Sequence, residues 1–306
     1  MGEKRAKMFE KFKIYLLEFS YAYRNELKVS NGFILNDKNR LTTANRVNLH
    51  RWLRDDGKEN LGDYLSEVVV DYMLNRFGID RNKHVKNTKH LYVVGSILHM
   101  GLQNATVWGS GYKYDITQNP VDTIYEKVND KIRRMRKLDI RCVRGPETRR
   151  VLMKLGYKCP EVYGDPAVLM PYIYKPENAH KTRKYSVIRH WRDNSEADNA
   201  IQIMTTDYKL VIDAIDSSEV IVSSSLHGII LAESYGVPAV LYIPPECVGY
   251  LDEFKYRDYY YSTGRYQFPV AKSVEEALQT KPCELSDLKP LQENLLKTFP
   301  SDLWNR

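Results

Sequence analysis

The chain has 306 residues, 43% of them hydrophobic, and a formal net charge of +7 at pH 7. Its length suits two α/β domains or one large domain, and no apolar run approaches the roughly 18 residues that a membrane-spanning helix needs. Four scattered cysteines without metal-binding spacing predict free thiols in a reducing compartment. The positive charge favours anionic partners, so phosphorylated substrates, nucleic acid and membrane surfaces are all compatible with it.

The first 27 residues combine basic and aromatic side chains at helical spacing. Lys4, Lys7 and Lys11 alternate with Phe9 and Phe12. Such a helix can lie on an anionic membrane surface, or it can pack on its own domain and leave its basic face in solvent. The sequence leaves both alternatives open, so peripheral membrane contact through this segment is a hypothesis.

A polar, turn-rich segment over 28–48 precedes a loop that leads into a helix predicted over 64–77. Asn60, Gly62 and Asp63 stand at the start of that helix. An aspartate at this place is most simply an N-cap, whose side chain accepts a hydrogen bond from one of the first helical N–H groups. From the local pattern alone, capping is the favoured role for Asp63.

Two strands, predicted over 91–97 and 106–112, contain Gly-Ser turns near their ends. The second turn contains Gly109 and Ser110. Small residues after strands permit close approach of a ligand to the backbone. Because neither turn contains a complete GxGxxG motif or a Walker lysine, dinucleotide and P-loop binding are not predicted.

The segment 131–150 is densely basic. Within it, residues 139–143 are predicted to form a strand, and Pro146 suits the first position of the next helix. Arg144 then lies at the carboxyl end of a strand, where it can meet an anion. The charge would also suit nucleic acid, but this stretch lacks interleaved aromatic residues and a nucleic-acid motif, so we expect no nucleic-acid binding.

The second half of the chain repeats the strand–turn–helix order. Residues 171–182, rich in Pro, Asn, Lys and Tyr, form the candidate linker before it. The strand predicted over 185–191 carries Arg189 and His190 at its end. Asp165 precedes the linker in a Gly-Asp-Pro turn, where its carboxylate either points into a cleft or caps the turn.

The stretch 219–242 has the clearest pattern in the chain. Residues 220–222 are β-branched and apolar, as in a strand buried on both faces. Three serines follow, with hydroxyls suited to capping, before a helix predicted over 226–235. This order places His227 and Gly228 at a helix N-terminus beyond the end of a strand, where backbone N–H groups and the helix dipole favour an anion.

Taken in order, these motifs resemble those of the polysaccharide pyruvyl transferase family. The matching pieces are spread over most of residues 50–265, and their order is more specific than any one of them. The residues that carry the resemblance are Asn60-Leu61-Gly62-Asp63, Val94-Gly95-Ser96-Ile97, Trp108-Gly109-Ser110-Gly111, Arg144-Gly145-Pro146-Glu147-Thr148, Gly164-Asp165-Pro166-Ala167, Ser224-Ser225-Leu226-His227-Gly228, Gly236-Val237-Pro238 and the run 254–260.

The resemblance implies two Rossmann-like α/β domains in a GT-B-like arrangement with an interdomain cleft. The expected N-terminal domain, on the acceptor side, covers 1–175. The C-terminal domain, on the phosphoenolpyruvate side, covers 183–306, and its last helix is a candidate to pack back on the first domain. The implied reaction moves the pyruvyl group of phosphoenolpyruvate onto two hydroxyls of a sugar in a polysaccharide or glycan precursor, as a cyclic ketal. It needs no cofactor, and no metal site is evident in the sequence.

The resemblance also implies roles for single residues. His227 is the expected acid/base, since histidine titrates near neutrality, and Asp63 becomes a second catalytic candidate, as a base or acceptor-site residue. The residues expected to bind phosphoenolpyruvate are Arg144, Arg189, Ser224, Ser225, Leu226 and Gly228. Those expected at the acceptor site or behind the catalytic residues are Gly109, Ser110, Asp165, His190 and Glu233.

One departure from the family concerns the clamp for phosphoenolpyruvate. Some relatives have an arginine where this chain has Ser225, and a serine cannot supply a guanidinium group. The clamp is therefore expected from Arg144, Arg189 or Arg257, or else from Ser225 together with the helix amides.

The nearest rival function is a GT-B glycosyltransferase with a nucleotide-sugar donor. The donor site of those enzymes also has a His-Gly turn, a helix with an acidic residue and a Gly-x-Pro stop, which His227, Glu233 and Gly236 would match. A non-catalytic anion-binding scaffold is the rival from another class. For the pyruvyl transferase we expect a cytoplasmic protein of exopolysaccharide or capsule synthesis, and a lipid-linked oligosaccharide acceptor would bring it to the membrane face.

Overall fold

The computed structural model describes residues 44–52, 54, 56–100, 104–118, 136–177, 180–248, 251 and 253–305. Within these ranges the protein is a mixed α/β structure built on two parallel sheets, which confirms the predicted α/β class. The basic segment 1–27 and the first residues of the basic stretch 131–150 lie outside the described residues, so the membrane hypothesis stays a prediction.

The first sheet is formed by β1 (Val47–His50), β2 (Lys89–Tyr92), β3 (Ala105–Trp108) and β4 (Leu138–Cys142). Its order is β1-β2-β3-β4, and each pairing is parallel. All four carboxyl ends therefore meet at one edge of the sheet. The sequence analysis missed β1, because this short edge strand lies at the end of a polar segment and shows too little alternation to be recognised.

The second sheet is formed by β5 (Arg183–Arg189), β6 (Ala200–Gln202), β7 (Ser218–Ser223), β8 (Ala239–Tyr242) and β9 (Val270–Ala271). Its order is β6-β5-β7-β8-β9, and again all pairings are parallel. The chain thus leaves β5 toward one edge and returns on its other side at β7. In open α/β sheets, ligands bind in the crevice at such a change of direction.

The helices between these strands are α1 (Leu61–Arg76), α2 (Pro146–Lys154), α3 (Tyr208–Asp216), α4 (Leu226–Ser234), α5 (Phe254–Ser262), α6 (Val274–Gln279) and α7 (Lys289–Thr298). α4 agrees with its predicted bounds to within one residue. α1 begins three residues earlier than predicted because Asn60, and not Asp63, is its N-cap. The Asn60 side chain accepts a hydrogen bond from Gly62 N at 2.9 Å.

Two further differences from the sequence analysis concern an additional helix, α5, and the predicted linker. α5 was not predicted, because its mixed aromatic and charged run has no clear helical period. The predicted linker 171–182 begins inside a 3-10 helix, Pro166–Tyr172, whose N-cap is Asp165. A proline can start a helical turn but cannot donate a backbone hydrogen bond, so Pro171 alone does not mark a linker.

One hydrophobic core extends through both halves of the protein. It contains side chains from α1, α4 and α7 and from the 3-10 helix Pro166–Tyr172. Leu61 N, at the start of α1, donates a hydrogen bond to Ile203 O, after β6, at 2.8 Å. Trp108 Nε1, at the end of β3, donates to Leu295 O of α7 at 3.1 Å. The last helix therefore packs on the first sheet, and the two halves are held together at several points.

The motif Arg144-Gly145-Pro146-Glu147-Thr148 holds α5 against the first half. Arg144 Nε and the Thr148 hydroxyl both donate to Oδ2 of Asp258, at 2.9 and 2.6 Å. Arg144 and Asp258 are fully buried. A Cβ atom on Gly145 would lie 1.8 Å from the Asp258 carbonyl oxygen, so only glycine permits this approach. The motif is thus a docking element between the two halves.

Replacing Asp258 with alanine should lower the free energy of unfolding by about 3–5 kcal/mol, because Arg144 would remain buried without its carboxylate partner. Urea unfolding measures the change. The matched control is Glu293→Ala, which removes an exposed ion pair with Lys297 (3.1 Å) and should cost less than about 1 kcal/mol. Equal losses in the two variants would contradict the docking role of the Arg144–Asp258 pair.

Candidate functional site

A cavity of about 590 Å³ is lined by segments that follow strands of both sheets. The N-termini of α1 and α4 reach it from opposite halves of the protein. Helix N-termini carry unpaired N–H groups and partial positive charge, so the cavity is suited to an anionic ligand. The residues that line it are Trp52, Arg54, Asp56, Asn60, Asp63, Gly95, Ser96, Ile97, His99, Met100, Lys113, His190, Trp191, Arg192, Ser225, Leu226, His227 and Lys255.

His227 is the second residue of α4, and its imidazole lies against the start of α1. A Cβ atom on Gly62 would fall 1.9 Å from His227 Nδ1 and 2.4 Å from Cε1. No side chain larger than hydrogen fits at this point between the two helices. Gly62 is therefore required for His227 to occupy its place, where the imidazole is buried yet still lines the cavity.

A buried carboxylate lies beside the histidine. His227 Nε2 is 3.7 Å from Asp165 Oδ2, and neither atom has a hydrogen-bond partner among the described residues. The other oxygen of Asp165 accepts a hydrogen bond from Ala167 N at 3.0 Å, which fixes the carboxylate. Of the two roles left open by the sequence, Asp165 caps the turn; its buried carboxylate does not line the cavity and lies against the histidine that does. This placement sets a fixed carboxylate beside the imidazole.

Asp63 lies in the first turn of α1, close to His227. Its Oδ1 accepts a hydrogen bond from Trp52 N at 3.4 Å, and the same oxygen would be 2.8 Å from a Cβ atom on Gly95. Burial raises the pKa of Asp63 from 3.8 to about 7, although the neighbouring His227 opposes the shift. A carboxyl group with a pKa near neutrality can give or accept a proton at physiological pH.

Positive side chains gather around His190, which follows β5. Burial lowers the pKa of His190 to about 2, and the charges of Lys255, Lys113 and Arg192 add to this effect. Lys255, Lys113 and Arg192, which we call the cationic cluster, line the cavity together with His190. Lys255 is itself buried near the start of α5. Positive charge in such a partly enclosed place binds anions well, because water and salt screen it less than at the surface.

The serine turn before α4 is supported by a buried network. Ser224 donates its hydroxyl to Asp193 and accepts a hydrogen bond from His190 N at 3.0 Å. Tyr256 donates to Ser224 O at 2.7 Å. Ser225 is the N-cap of α4, but its hydroxyl makes no capping hydrogen bond and the residue lines the cavity. Ser225 is thus placed to contact a ligand, whereas Ser224 orients the turn.

The three arginines considered as clamps are not among the described residues that line the cavity. Arg144 lies behind the wall and donates from Nη1 to Ser96 Oγ at 2.5 Å, and Ser96 does line the cavity. Arg189 donates to a backbone carbonyl in its own loop. Arg257 follows Lys255 by two residues on α5, which turns it away from Lys255. The cavity cations are Arg54, Lys113, Arg192 and Lys255.

Three small residues predicted for the site, Gly109, Ser110 and Gly228, are not among the described residues that line the cavity. Gly109 has φ of +89°, and a Cβ atom there would lie 2.3 Å from a proline side chain. Ser110 donates to Gly95 O at 2.8 Å. A Cβ atom on Gly228 would lie 2.3 Å from Ser223 Oγ. In each case the small residue permits close packing of the backbone that carries the cavity residues.

Glu233 lies near the opposite end of α4 from His227 and is part of a buried ion pair. Arg265 donates to its two carboxylate oxygens at 2.7 and 2.6 Å. The Tyr259 hydroxyl also donates to Glu233 Oε2, at 2.6 Å. These three hydrogen bonds, from Arg265 and Tyr259, occupy the carboxylate, so Glu233 ties α4 to α5 and to the segment after it.

The sequence analysis did not assign Trp52, Trp191, Arg192 or Lys255 to the site. Trp191 and Arg192 directly follow His190. Ligands bind beyond the carboxyl ends of strands, so including two more residues after this strand would have found them. Lys255 belongs to the run 254–260 that contributed to the family resemblance. Nothing in that run distinguishes it from its neighbours, because only the packing of α5 turns Lys255 toward the cavity.

Within the described residues, no group of three or more His, Cys, Asp or Glu side chains is arranged to hold a metal ion. The same part of the chain contains no helix that combines the length and apolar character needed to span a bilayer. The four thiols, Cys142, Cys159, Cys247 and Cys283, are free, as predicted.

Two known proteins are similar to parts of this chain. The succinoglycan biosynthesis protein ExoV of Rhizobium meliloti (strain 1021) is 30% identical over 193 residues, which cover 58% of this chain and 54% of that protein. The chain thus spans about half the length of this relative. A solved structure of an uncharacterized protein, KP1_0663 of Klebsiella pneumoniae subsp. pneumoniae NTUH-K2044, is 12% identical with a TM-score of 0.40, covering 78% of this chain and 92% of that one.

One family matches a stretch of the sequence that contains most of the residues lining the cavity. The pattern described as polysaccharide pyruvyl transferase matches residues 60–244, and Asp63, Asp165, His190 and His227 all fall inside this range. The matched range is more than half of the 306 residues. On this match, the chain belongs to the polysaccharide pyruvyl transferase family.

Proposed function

We propose that this protein transfers the pyruvyl group of phosphoenolpyruvate onto two hydroxyls of a sugar in a polysaccharide precursor, forming a cyclic ketal and releasing phosphate. Family membership and the succinoglycan-biosynthesis relative support a polysaccharide as the class of acceptor. The observation that carries the proposal is the presence of His227 and Asp63 in the same cavity as the cationic cluster. The first two residues supply proton transfer, and the cluster supplies charge for a donor with a phosphate and a carboxylate.

In the proposed reaction, His227 first gives a proton to the methylene carbon of phosphoenolpyruvate, which becomes a methyl group and leaves positive charge at C2. One sugar hydroxyl attacks C2 and loses its proton to Asp63. Asp63 passes this proton to His227, which is thereby protonated again. The second hydroxyl attacks C2 as the bond between C2 and the phosphate oxygen breaks, and its proton leaves with inorganic phosphate. Nothing is oxidised or reduced, and the products are the ketal and phosphate.

The surroundings of His227 support this role. The carboxylate of Asp165 lies 3.7 Å from Nε2, so a negative charge lies beside the imidazole that gives and takes the proton. The N-terminus of α4 and Ser225 face the same cavity and add hydrogen-bond donors for an anion. Lys255, Lys113 and Arg192 supply the positive charge that the serine at position 225 cannot supply.

The alternative, a glycosyltransferase with a nucleotide-sugar donor, fits the described contacts less well. In that case Glu233 would hold the donor ribose, yet its carboxylate already binds Arg265 and Tyr259. We retain the GT-B-like arrangement as part of the proposal, because the cavity lies at the carboxyl edges of two parallel sheets. A lipid-linked acceptor and a cytoplasmic location at the membrane face belong to the same proposal, and the net charge of +7 supports them.

The deciding experiment incubates the full chain with phosphoenolpyruvate and a panel of simple and lipid-linked sugars. Release of inorganic phosphate coupled to a gain of mass on the sugar is the expected result. Calorimetric titration with phosphoenolpyruvate and with UDP-glucose provides the comparison. Binding of UDP-glucose alone, without consumption of phosphoenolpyruvate, would favour the glycosyltransferase.

Replacing His227 with glutamine should lower the turnover rate by about 10²–10⁴-fold, since an acid/base group is lost while the polar side chain still fills the space. Phosphate release under saturating donor measures the change. His84→Gln is the matched control, because His84 is exposed and lies outside the cavity. A variant at His227 with wild-type turnover would rule out the proposed role.

Replacing Asp63 with asparagine should remove the rise in activity that we expect as pH increases through about 7, the pKa of the buried carboxyl. The base form of Asp63 is populated above that pH.

The stability of the folded protein changes in the opposite direction, since it falls as pH rises. An unfolded chain ionises Asp63 near 3.8, whereas burial keeps the folded carboxyl protonated up to about 7, so the folded state is favoured at low pH.

The melting temperature of the wild type should therefore fall relative to Asp63→Asn as pH rises from about 4 to about 7. Thermal unfolding of both proteins across this range measures the difference. A constant difference in melting temperature would show that the carboxyl is not perturbed. A wild-type activity profile without a rise near pH 7 would contradict the role of Asp63 as a base.

Replacing Lys255 with methionine should weaken phosphoenolpyruvate binding by roughly 10- to 100-fold, the effect of losing one hydrogen bond from a charged donor. Methionine keeps much of the apolar volume of the lysine side chain. Calorimetric titration measures the dissociation constant, and Lys158→Met, at an exposed position outside the cavity, is the control. An unchanged affinity for phosphoenolpyruvate in the Lys255 variant would show that Lys255 does not bind phosphoenolpyruvate.

A further inference from the structure

Two tryptophans from opposite halves of the protein meet in the wall of the cavity. Trp52 follows β1 of the first sheet, and Trp191 follows β5 of the second. Their ring centroids are 5.4 Å apart with an angle of 26° between the ring planes, so the indoles stack. Both are half-buried, and both line the cavity. Neither the acid/base pair nor the cationic cluster explains them.

The position of this pair relates it directly to the chemistry. Trp52 N donates to Oδ1 of Asp63, so one indole is anchored beside the proposed base. Trp191 is the neighbour of His190 in the chain, and their rings are 5.7 Å apart, so the other indole adjoins the cationic cluster. A molecule lying against the tryptophans would thus be next to both the base and the donor-binding charges.

Polar groups surround the two indoles. The guanidinium carbon of Arg54 is 5.3 Å from the centre of the Trp191 ring, and that of Arg192 is 4.3 Å away. Arg54 pairs with Asp56 at 3.3 Å, and both line the cavity. Two indoles grouped with guanidinium and carboxylate side chains suit a pyranose ring, which has an apolar C–H face and a rim of hydroxyls.

From this geometry we propose that Trp52 and Trp191 form the subsite for the pyranose ring of the acceptor sugar. The inference rests on the proposed function, because it uses Asp63 as the base for the acceptor hydroxyl. It adds to that function a place for the sugar and the residues that select it. The rival explanation is a structural one, in which the stacked indoles only join the two halves.

The first experiment follows tryptophan fluorescence of the full chain, without phosphoenolpyruvate, during titration with methyl β-D-glucopyranoside and methyl β-D-galactopyranoside. Trp108 and Trp304 are buried, at 0% and 1% exposed, so a change reports on the other two. We expect a saturable change with at least one sugar in the wild type and in the control Tyr266→Ala, an exposed aromatic position (68%). We expect its loss in Trp191→Ala. No saturable change with either sugar in the wild type would overturn the proposal.

The second experiment measures steady-state kinetics of the Trp52 and Trp191 variants. Alanine at either position should raise the KM for the sugar about tenfold and leave the KM for phosphoenolpyruvate near its wild-type value, and phenylalanine should restore much of the loss. A structural joint alone would instead lower the melting temperature and leave the sugar KM unchanged, which would overturn the proposal.

The failure of the proposed function and the failure of the sugar subsite give different results. Saturable sugar binding without phosphate release would contradict pyruvyl transfer only, whereas phosphate release with unchanged sugar KM in the variants would contradict the subsite only.

Discussion

The contact between Gly62 and His227 sets the relation between the two halves of this protein. A Cβ atom on Gly62 would overlap the imidazole, at 1.9 Å from Nδ1, so the start of α1 and the start of α4 can meet only through a glycine. Leu61 N reinforces the contact by binding Ile203 O across the same boundary. Because two helix N-termini meet here, their N–H groups and helix dipoles favour an anion in the cavity, independently of the charged side chains.

Charge within the cavity is divided between two sides. Asp63 and Asp165 are near His227, and the cationic cluster surrounds His190. Each group carries a cost of burial, which is visible in the raised pKa of Asp63 and the lowered pKa of His190. This division suits a reaction in which a proton moves at one end of a small substrate while an anionic group is held at the other end.

The residues around the cavity form two layers with different tasks. The inner layer touches the cavity, and its members include His227, Asp63 and Lys255. The outer layer supports it: Arg144 donates a hydrogen bond to Ser96 in the cavity wall, and Asp165 lies beside the histidine. Strongly patterned motifs therefore appear in both layers, since a site depends as much on the groups that orient its side chains as on the side chains themselves.

Local sequence determined much of this architecture. The β-branched run of β7, the serines after it and the stop at Gly236 fix α4 and place His227 at its N-terminus, because each of these signals acts over a few residues. The α/β class and most strand ends follow in the same way. The short edge strand β1 and the helix α5 did not follow, since their local patterns are weak and packing decides them.

Tertiary structure alone decided which charged residues face the cavity. The sequence favoured Arg144, at the end of a strand, and did not mark Lys255, yet Arg144 is buried against Asp258 while Lys255 lines the cavity. The meeting of Trp52 with Trp191, 139 positions apart in the chain, is equally invisible in the sequence. Such pairings depend on how two sheets pack through a shared core, and no local propensity carries information about contacts between segments so far apart.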